Sequence, residues 1–393
     1  MKKKIILSAL IGATTSLMAL GGEQAYLYKD PRIMGMGGAN VAVGGYSSSI
    51  FSNPAGLANI SKKNGYIVDL LSLGASGSKG FADFASDISD VDTGDENAMS
   101  AVLKNYAGDH FHAGFDNYSA ISNNGDMFAW SVGLLAASDL NFQVHPNGST
   151  NGGFLETTSR VYGGVILGAA KSYETGVGCV DLGVGVKFIT QKSYEGSLGI
   201  TELANSDDIT KTLQDKYEKE SSGIGVDLGL TYHPFENTMW HPAFGLSVLN
   251  IGSMSMDDNY GQQPTTVNIG MSITPEVPYL DKFVLAVDYV DLLNENTIRI
   301  YDYNDDGEVV SYSDYSDSDT IKRLRIGAGF GIVDTKYFST QLNVGLYQGA
   351  YTAGLDMALT VVKLNLATYE EQIGTGSVDI ADRRYMAQLA IGW

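Results

Sequence analysis

A chain of 393 residues with 45 acidic against 25 basic side chains carries a net charge of −20. That balance excludes nucleic acid as a partner, because phosphate binding needs clustered cations. A single cysteine, Cys179, excludes a disulfide framework. Yet 47 Gly, 23 Tyr and 14 Phe, with mean hydropathy near zero, suit a membrane β-barrel, whose apolar half is hidden in alternation.

The chain opens on Lys2, Lys3 and Lys4, then runs apolar from Ile5 to Leu20 and leaves through small residues. A basic start, short apolar core and small-residue exit read as a secretory signal peptide over 1–21, cleaved after Ala19 or Gly21. The run is short for a membrane helix, which needs roughly twenty residues. No cysteine follows it, which excludes lipoprotein processing. Without the three lysines, 22 cations face 45 acidic residues, a net −23. Nothing later in the chain is apolar for long enough to be a helical span, about eighteen residues.

Residues 22–63 do not alternate. They carry Arg32, Gly35, Gly37 and Gly38, then the step Asn53-Pro54-Ala55-Gly56-Leu57. Asn53 as N-cap and Pro54 in the first turn predict a short helix. The glycines permit tight packing. A disordered tail is disfavoured by Ile33, Met34, Val41, Val43, Ile50, Phe51 and Leu57. A phosphate loop is disfavoured because no Gly-Lys-Ser/Thr follows.

From residue 64 onward the pattern is apolar-polar alternation. Val180, Leu182, Val184, Val186 and Phe188 alternate with Asp181, Gly183, Gly185 and Lys187; Leu324, Ile326, Ala328, Phe330 and Ile332 alternate with Arg325, Gly327, Gly329 and Gly331. Strands with lipid on one side and an enclosed interior on the other must read this way. About fourteen are predicted, near 65–75, 109–121, 126–138, 156–170, 176–192, 222–234, 240–251, 265–275, 281–291, 320–333, 338–347, 350–359, 361–370 and 381–393. An even count fits a bacterial barrel, as do long links (76–108, 139–155, 193–221, 252–264, 292–319) alternating with short ones. A soluble β-sandwich also alternates, but has no reason for that loop asymmetry. The predicted interior face bears Asp181, Lys187, Asp227, Asp288, Arg323, Arg325, Asp356, Lys363 and Arg384.

Two long links contain helical periodicity. Phe81, Phe84 and Ile88, then Met99, Val102, Leu103 and Tyr106, recur at helical spacing in the first; Ile209, Leu213 and Tyr217 do so in the third, capped by Asp207 or Asp208. Apolar stripes on a rim need cover, from each other or from a ligand. The link after 281–291 reads Asp302-Tyr303-Asn304-Asp305-Asp306-Gly307-Glu308, the opening of a calcium loop with oxygens at positions 1, 3 and 5 and Gly at 6. Its second half is broken, since position 12 is Ser313 and Asp314 comes one place late. Asp302, Asn304, Asp306, Glu308 and Asp314 are therefore the candidate Ca²⁺ ligands, against a plain acidic loop. His110, His112 and Asp116 share a strand face and are candidate metal ligands, against ordinary interior polarity. His233 and His241 are assigned no chemistry. No nucleophile elbow, His-Glu-x-x-His or cysteine-based motif argues for an enzyme, and no cofactor is required.

The Gly-rich run followed by Asn53-Pro54-Ala55-Gly56-Leu57 before the first strand resembles the FadL-type outer-membrane transporter superfamily. Arg32, Gly35, Gly37, Gly38, Asp288-Tyr289-Val290-Asp291-Leu292 and Arg323-Leu324-Arg325-Ile326-Gly327-Ala328 look like its plasmid-transfer TraF-like and secretion-associated PorV-like branch. The resemblance implies a Gram-negative outer-membrane barrel (all-β, antiparallel, fourteen strands) with 22–63 as a plug and 64–393 as the wall. It further implies passive uptake of hydrophobic small molecules such as long-chain fatty acids. The loop residues Phe81 to Tyr106 and Ile209 to Tyr217 would form a hydrophobic entry groove. The branch implies the alternative, a non-transporting scaffold for a conjugation or secretion partner.

Overall fold

The computed structural model describes residues 26–62, 65–145, 153–206, 208–234, 238–252, 254–304, 309–316, 318–373 and 380–393. The leader and the candidate ligands Asp306 and Glu308 lie outside the described residues.

Fourteen antiparallel strands close into a barrel: β1 (Tyr66–Ser78), β2 (His110–Asn124), β3 (Ala129–His145), β4 (Phe154–Thr175), β5 (Gly178–Gly199), β6 (Glu218–Pro234), β7 (Ala243–Ile251), β8 (Thr266–Ile273), β9 (Lys282–Tyr289), β12 (Leu324–Asp334), β13 (Phe338–Tyr347), β14 (Ala350–Leu359), β15 (Val362–Gln372) and β16 (Ala381–Gly392). The remaining two, β10 (Thr297–Tyr303) and β11 (Val309–Ser316), form a separate two-stranded sheet among the described residues of the long link after β9. That hairpin is absent from the expected strand set. β1 pairs with both β2 and β16, which closes the wall. A one-residue bulge in β1 between Asp69 and Leu73 shifts both registers.

Alternation divides the wall cleanly. Val132, Leu134, Leu182, Val184, Phe188, Leu228, Leu246, Leu342, Val344 and Leu389 face outward and are exposed, while Ser131, Asp181, Lys187, Asp227, Ser247, Asn343 and Gln388 face inward and are buried. An exposed apolar belt of this extent is the surface a barrel presents to hydrocarbon. At the short-turn end it is edged by aromatics, with Tyr66 packed 6.1 Å from Trp130 and with Phe128, Trp240, Tyr337 and Trp393 exposed. No helix among the described residues is long and apolar enough to cross a membrane.

β4 and β5 are 22 residues each, about twice the 9–11 needed to cross a bilayer. Their upper halves, with those of β2 and β3, therefore rise beyond the belt. β3 and β5 run past their expected ends at 138 and 192, to His145 and Gly199, because there the outward face, with Phe142, Val144, Tyr194 and Leu198, is covered by loop helices and not by hydrocarbon. Arg323 also departs from expectation. It sits in the 3₁₀ turn Ile321–Arg323 before β12, bonded to the Asp291 and Ser318 carbonyls on the rim, and not on the interior face.

Candidate functional site: the plugged lumen

Residues 26–60 fill the barrel interior. α1 (Pro31–Gly35) begins at the N-cap Asp30, whose carboxylate also takes Arg32 in a two-pronged pair at 2.9 and 2.6 Å. The Arg32 guanidinium lies over the Tyr46 ring, 4.5 Å from its centroid. A 3₁₀ turn spans Pro54–Asn59, with the Asn53 side chain accepting from the Ala55 amide. The cap and proline predicted a helical turn, and the turn is of the tighter kind.

The plug is held to the wall at many points. Asp288 Oδ2 accepts the amides of Asn40 and Val41 at 2.6 and 2.7 Å. Thr352 donates to the Gly35 carbonyl, Ser272 to Ala42, Ser247 to Ser52, and Tyr162 to Leu27. Asn53 Nδ2 bridges the Val41 carbonyl and Thr231 Oγ1. Lys29 pairs with buried Glu371 at 2.6 Å. The bonds at Gly35, Asn40, Val41, Ala42, Ser52 and Leu27 satisfy plug backbone groups that the lumen hides from water. Tyr28, Phe51 and Tyr118 pack as a tilted and edge-to-face trio with centroids 4.9–5.3 Å apart, and Ile50 and Leu57 are fully buried.

Wall glycines make this packing possible. A Cβ at Gly183 would lie 2.2 Å from the Ala55 nitrogen, one at Gly245 2.3 Å from the Val41 oxygen, and one at Gly327 2.1 Å from the Met36 oxygen. Gly35 meets Gly354 of β14 backbone to backbone, and Gly56 meets Gly44 within the plug. Gly37 and Gly38 turn the chain with φ of 67° and 78°, a region open to glycine at no steric cost.

Two further elements lie above the plug. The link 252–264 folds inward, burying Met254 and Met256 in one cluster with Ile50, Phe51 and Ile189. Gln191 of β5 donates to the Tyr260 carbonyl. Above it, the β10–β11 hairpin reaches Glu195, which faces inward on β5: Arg299 Nη1 lies 2.9 Å and Tyr301 OH 2.6 Å from its Oε1. Burial, then the neighbouring Glu195 carboxylate, push the Tyr301 phenol well above its ordinary pKa, so it stays protonated as the donor.

Cavities remain on both sides of the plug. One, of about 680 Å³, opens at the short-turn end beneath plug residues Ala42, Val43 and Asn59. Another, about 60 Å³, lies on the loop side of the plug among Tyr28, Lys29, Asp116, Asp139, Arg160 and Arg384, with room for a few waters.

The ten loop residues converge on one cluster. α2 (Phe81–Asp90), α3 (Glu96–Asn105), α4 (Ile200–Asn205) and α5 (Ile209–Tyr217) lie against the outward face of the β2–β5 extensions. Phe84, Ile88, Met99, Leu103 and Leu213 are buried there with Phe111, Val144, Leu155 and Leu198, while Phe81, Val102, Tyr106, Ile209 and Tyr217 pack on at the edge. Phe84 stacks on Phe111 at 4.3 Å, and the Tyr217 ring lies over Gly196 with its hydroxyl on the Ser197 carbonyl. Tyr106 donates to Asp87, a bond that pushes its phenol up to about 12. Asp208 is the α5 cap. The wall itself covers much of these stripes, and apart from Phe111 the covering residues fell in expected links. Phe84→Ala should cost about 3–5 kcal/mol locally, because the cavity beside Phe111 has no neighbour free to fill it. Protease cleavage within 81–105 should rise while the barrel keeps its heat-resistant migration; unchanged cleavage would count against this packing.

The other candidates are dispersed. His112 is bonded to Ser76 and Asn141, His110 Nδ1 is 3.6 Å from Asp382, and Asp116 lies farther along β2, against Gly74. Among the described residues no group of three His, Cys, Asp or Glu is placed to hold a metal. Asp302 accepts from Ser311, and Asp314 from Arg299, within the hairpin; Asn304 directly follows β10. His233 pairs with Asp181 at 2.9 Å at the edge of the larger chamber. Sequence reasoning missed Glu195, Arg299, Tyr301 and the inward link. Ile298 and Ile300 alternating with Arg299 and Tyr301 was the available signal.

Closed wall, apolar belt and occupied interior define a transmembrane β-barrel with an internal plug. Solved structures share this architecture over nearly their full length. The Ralstonia pickettii toluene transporter TbuX is 14% identical, covering 92% of this chain and 98% of that chain at a TM-score of 0.54. The Pseudomonas putida toluene transporter TodX is 11% identical, covering 96% and 99% at 0.52. The CymD monoaromatic hydrocarbon channel is 13% identical, covering 92% and 97% at 0.51. At such identities the likeness is one of fold. No protein-family model and no curated protein matches the sequence.

Proposed function

We propose that this protein is a Gram-negative outer-membrane channel of the FadL type, through which hydrophobic small molecules enter passively. The observation that carries the reading is a membrane-spanning barrel with a chamber on each side of a plug that hydrogen bonds and packing seat against the wall. The fold likeness to hydrocarbon channels supports it. Long-chain fatty acids are the finer expectation, with Phe81, Val102, Ile209 and Tyr217 at the cluster edge as the first apolar contact. Proteoliposomes containing the purified barrel should take up labelled oleate or toluene faster than empty ones, and Phe81→Ala with Ile209→Ala should slow entry. Uptake of both probes at the empty-vesicle rate would sink the channel.

A second reading, a non-transporting scaffold for a secretion or conjugation partner, is favoured by one observation. The loop-side chamber is polar and too small for an acyl chain. Under that reading neither probe enters, yet the folded barrel is still required for the partner process.

A further inference from the structure

We infer that the β10–β11 hairpin is a lid over the mouth of the barrel and that Glu195 is its latch. The hairpin rises from the wall between β9 and β12. Glu195 belongs to β5, four strands from β9 along the wall. At about 4.8 Å per strand, roughly 20 Å of rim separates them, so Arg299 and Tyr301 reach Glu195 only by crossing the opening above β6, β7 and β8. The cover shows in burial. Thr158, the cross-strand partner of Glu195, is 0% exposed, and its inward-facing neighbours Ser193 and Ser197 are 1% and 2% exposed. These polar side chains stand above the plug at the loop end of the strands, where an open mouth would leave them wet.

The foot of the hairpin is built to hold its direction. Asp291, buried and at φ 50°, accepts the amides of Glu295 and Asn296 through its two carboxylate oxygens and donates its own amide to Asn268. Asn294, at φ 59°, is tied to Ser316 by two hydrogen bonds across the base. A lone two-stranded hairpin is marginal by itself. Its closed position therefore depends on the far contact, where one carboxylate oxygen accepts from both Arg299 and Tyr301. Breaking that contact frees the arm while the foot and the wall stay intact. The proposal does not rest on the channel reading, since a scaffold has the same mouth.

The test reads access, not transport. In a Cys179→Ser background, Thr158→Cys serves as a reporter, and its reaction with a charged, membrane-impermeant maleimide is timed in detergent-solubilised full-length protein. With the latch intact the reporter should react slowly. With Glu195→Ala added it should react about tenfold faster or more, the shift expected from losing a charge-assisted contact. Heat-modifiable migration reports folding. Should Glu195→Ala fail to fold, Arg299→Ala and Tyr301→Phe cut the latch from the hairpin side and should raise the rate in that order. Fast labelling with the latch intact, or rates within about twofold of it in every folded latch variant, would overturn the proposal.

Discussion

Gly183→Leu is expected to unseat the plug and turn a closed barrel into a conducting one. The new Cβ would fall 2.2 Å from the Ala55 nitrogen and 2.4 Å from the Pro54 carbonyl carbon. Those are backbone atoms of the 3₁₀ turn that Asn53 caps, so no side-chain rotation relieves the clash. Overpacking by ordinary methylenes costs about 1–3 kcal/mol, and a backbone collision costs more. The wall tolerates the change, because Gly183 sits in unbroken ladders opposite Ala170 and Gly229 and leucine fits a strand. With the plug displaced, the lumen is lined by Asp227, Asp288, Asn268 and Ser247 and fills with water. Planar-bilayer recordings should show sustained openings for Gly183→Leu and not for Val184→Leu, whose side chain points to lipid. A Gly183→Leu barrel as silent as the wild type would mean that the plug yields without leaving.

The second large effect is expected at the buried pair of Lys187 and Asp227. Their side chains are 2% and 0% exposed, with Nζ 3.0 Å from Oδ2. Nζ also donates to Asn250 Oδ1, and Asp227 Oδ1 takes the Asn250 amide. Removing one charge strands the other, so Lys187→Met should destabilise the barrel by about 3–5 kcal/mol. Lys187→Met with Asp227→Leu should recover most of that, but not the share that belongs to the Asn250 amide. Urea unfolding from micelles, followed by tryptophan fluorescence, reads both. A double variant as unstable as the single would show that the Asn250 contact, not the charge pair, governs this layer.

The wall was legible because hydrocarbon imposes a rule on every outward side chain, and Val180 to Phe188 or Leu324 to Ile332 obey it residue by residue. Past the hydrocarbon the expected strands stop short: β3 and β5 are expected to end at 138 and 192, and their last seven residues, to His145 and Gly199, fall in expected links. Consequently the partners of the loop helices, Phe142, Val144, Leu155 and Leu198, were hidden in expected links. The helical stripes themselves were plain from spacing, and so was the Asn53-Pro54 start of a turn. The hairpin was missed for another reason. Asp302-Tyr303-Asn304 drew attention as an ion loop, whereas Arg299 and Tyr301, two and four residues on from Thr297, act through a glutamate 104 and 106 residues away in sequence. A contact of that range leaves no trace in local composition. The plug glycines announced tight packing, but only the folded wall shows that glycines such as Gly183, Gly245 and Gly327 answer them from the other side.

The wall is sealed by its first strand meeting its last, β1 against β16, and the plug that precedes β1 is tied to β15 by a lysine and a glutamate 342 positions apart. Neither seam nor stopper can be completed until β15 and β16 are in place. Such long-range pairing is slow to form and leaves sheet edges bare meanwhile. The polypeptide therefore has to be kept from aggregating until β16 has paired with β1, and loss of β16 would leave an unclosed ribbon rather than a smaller barrel.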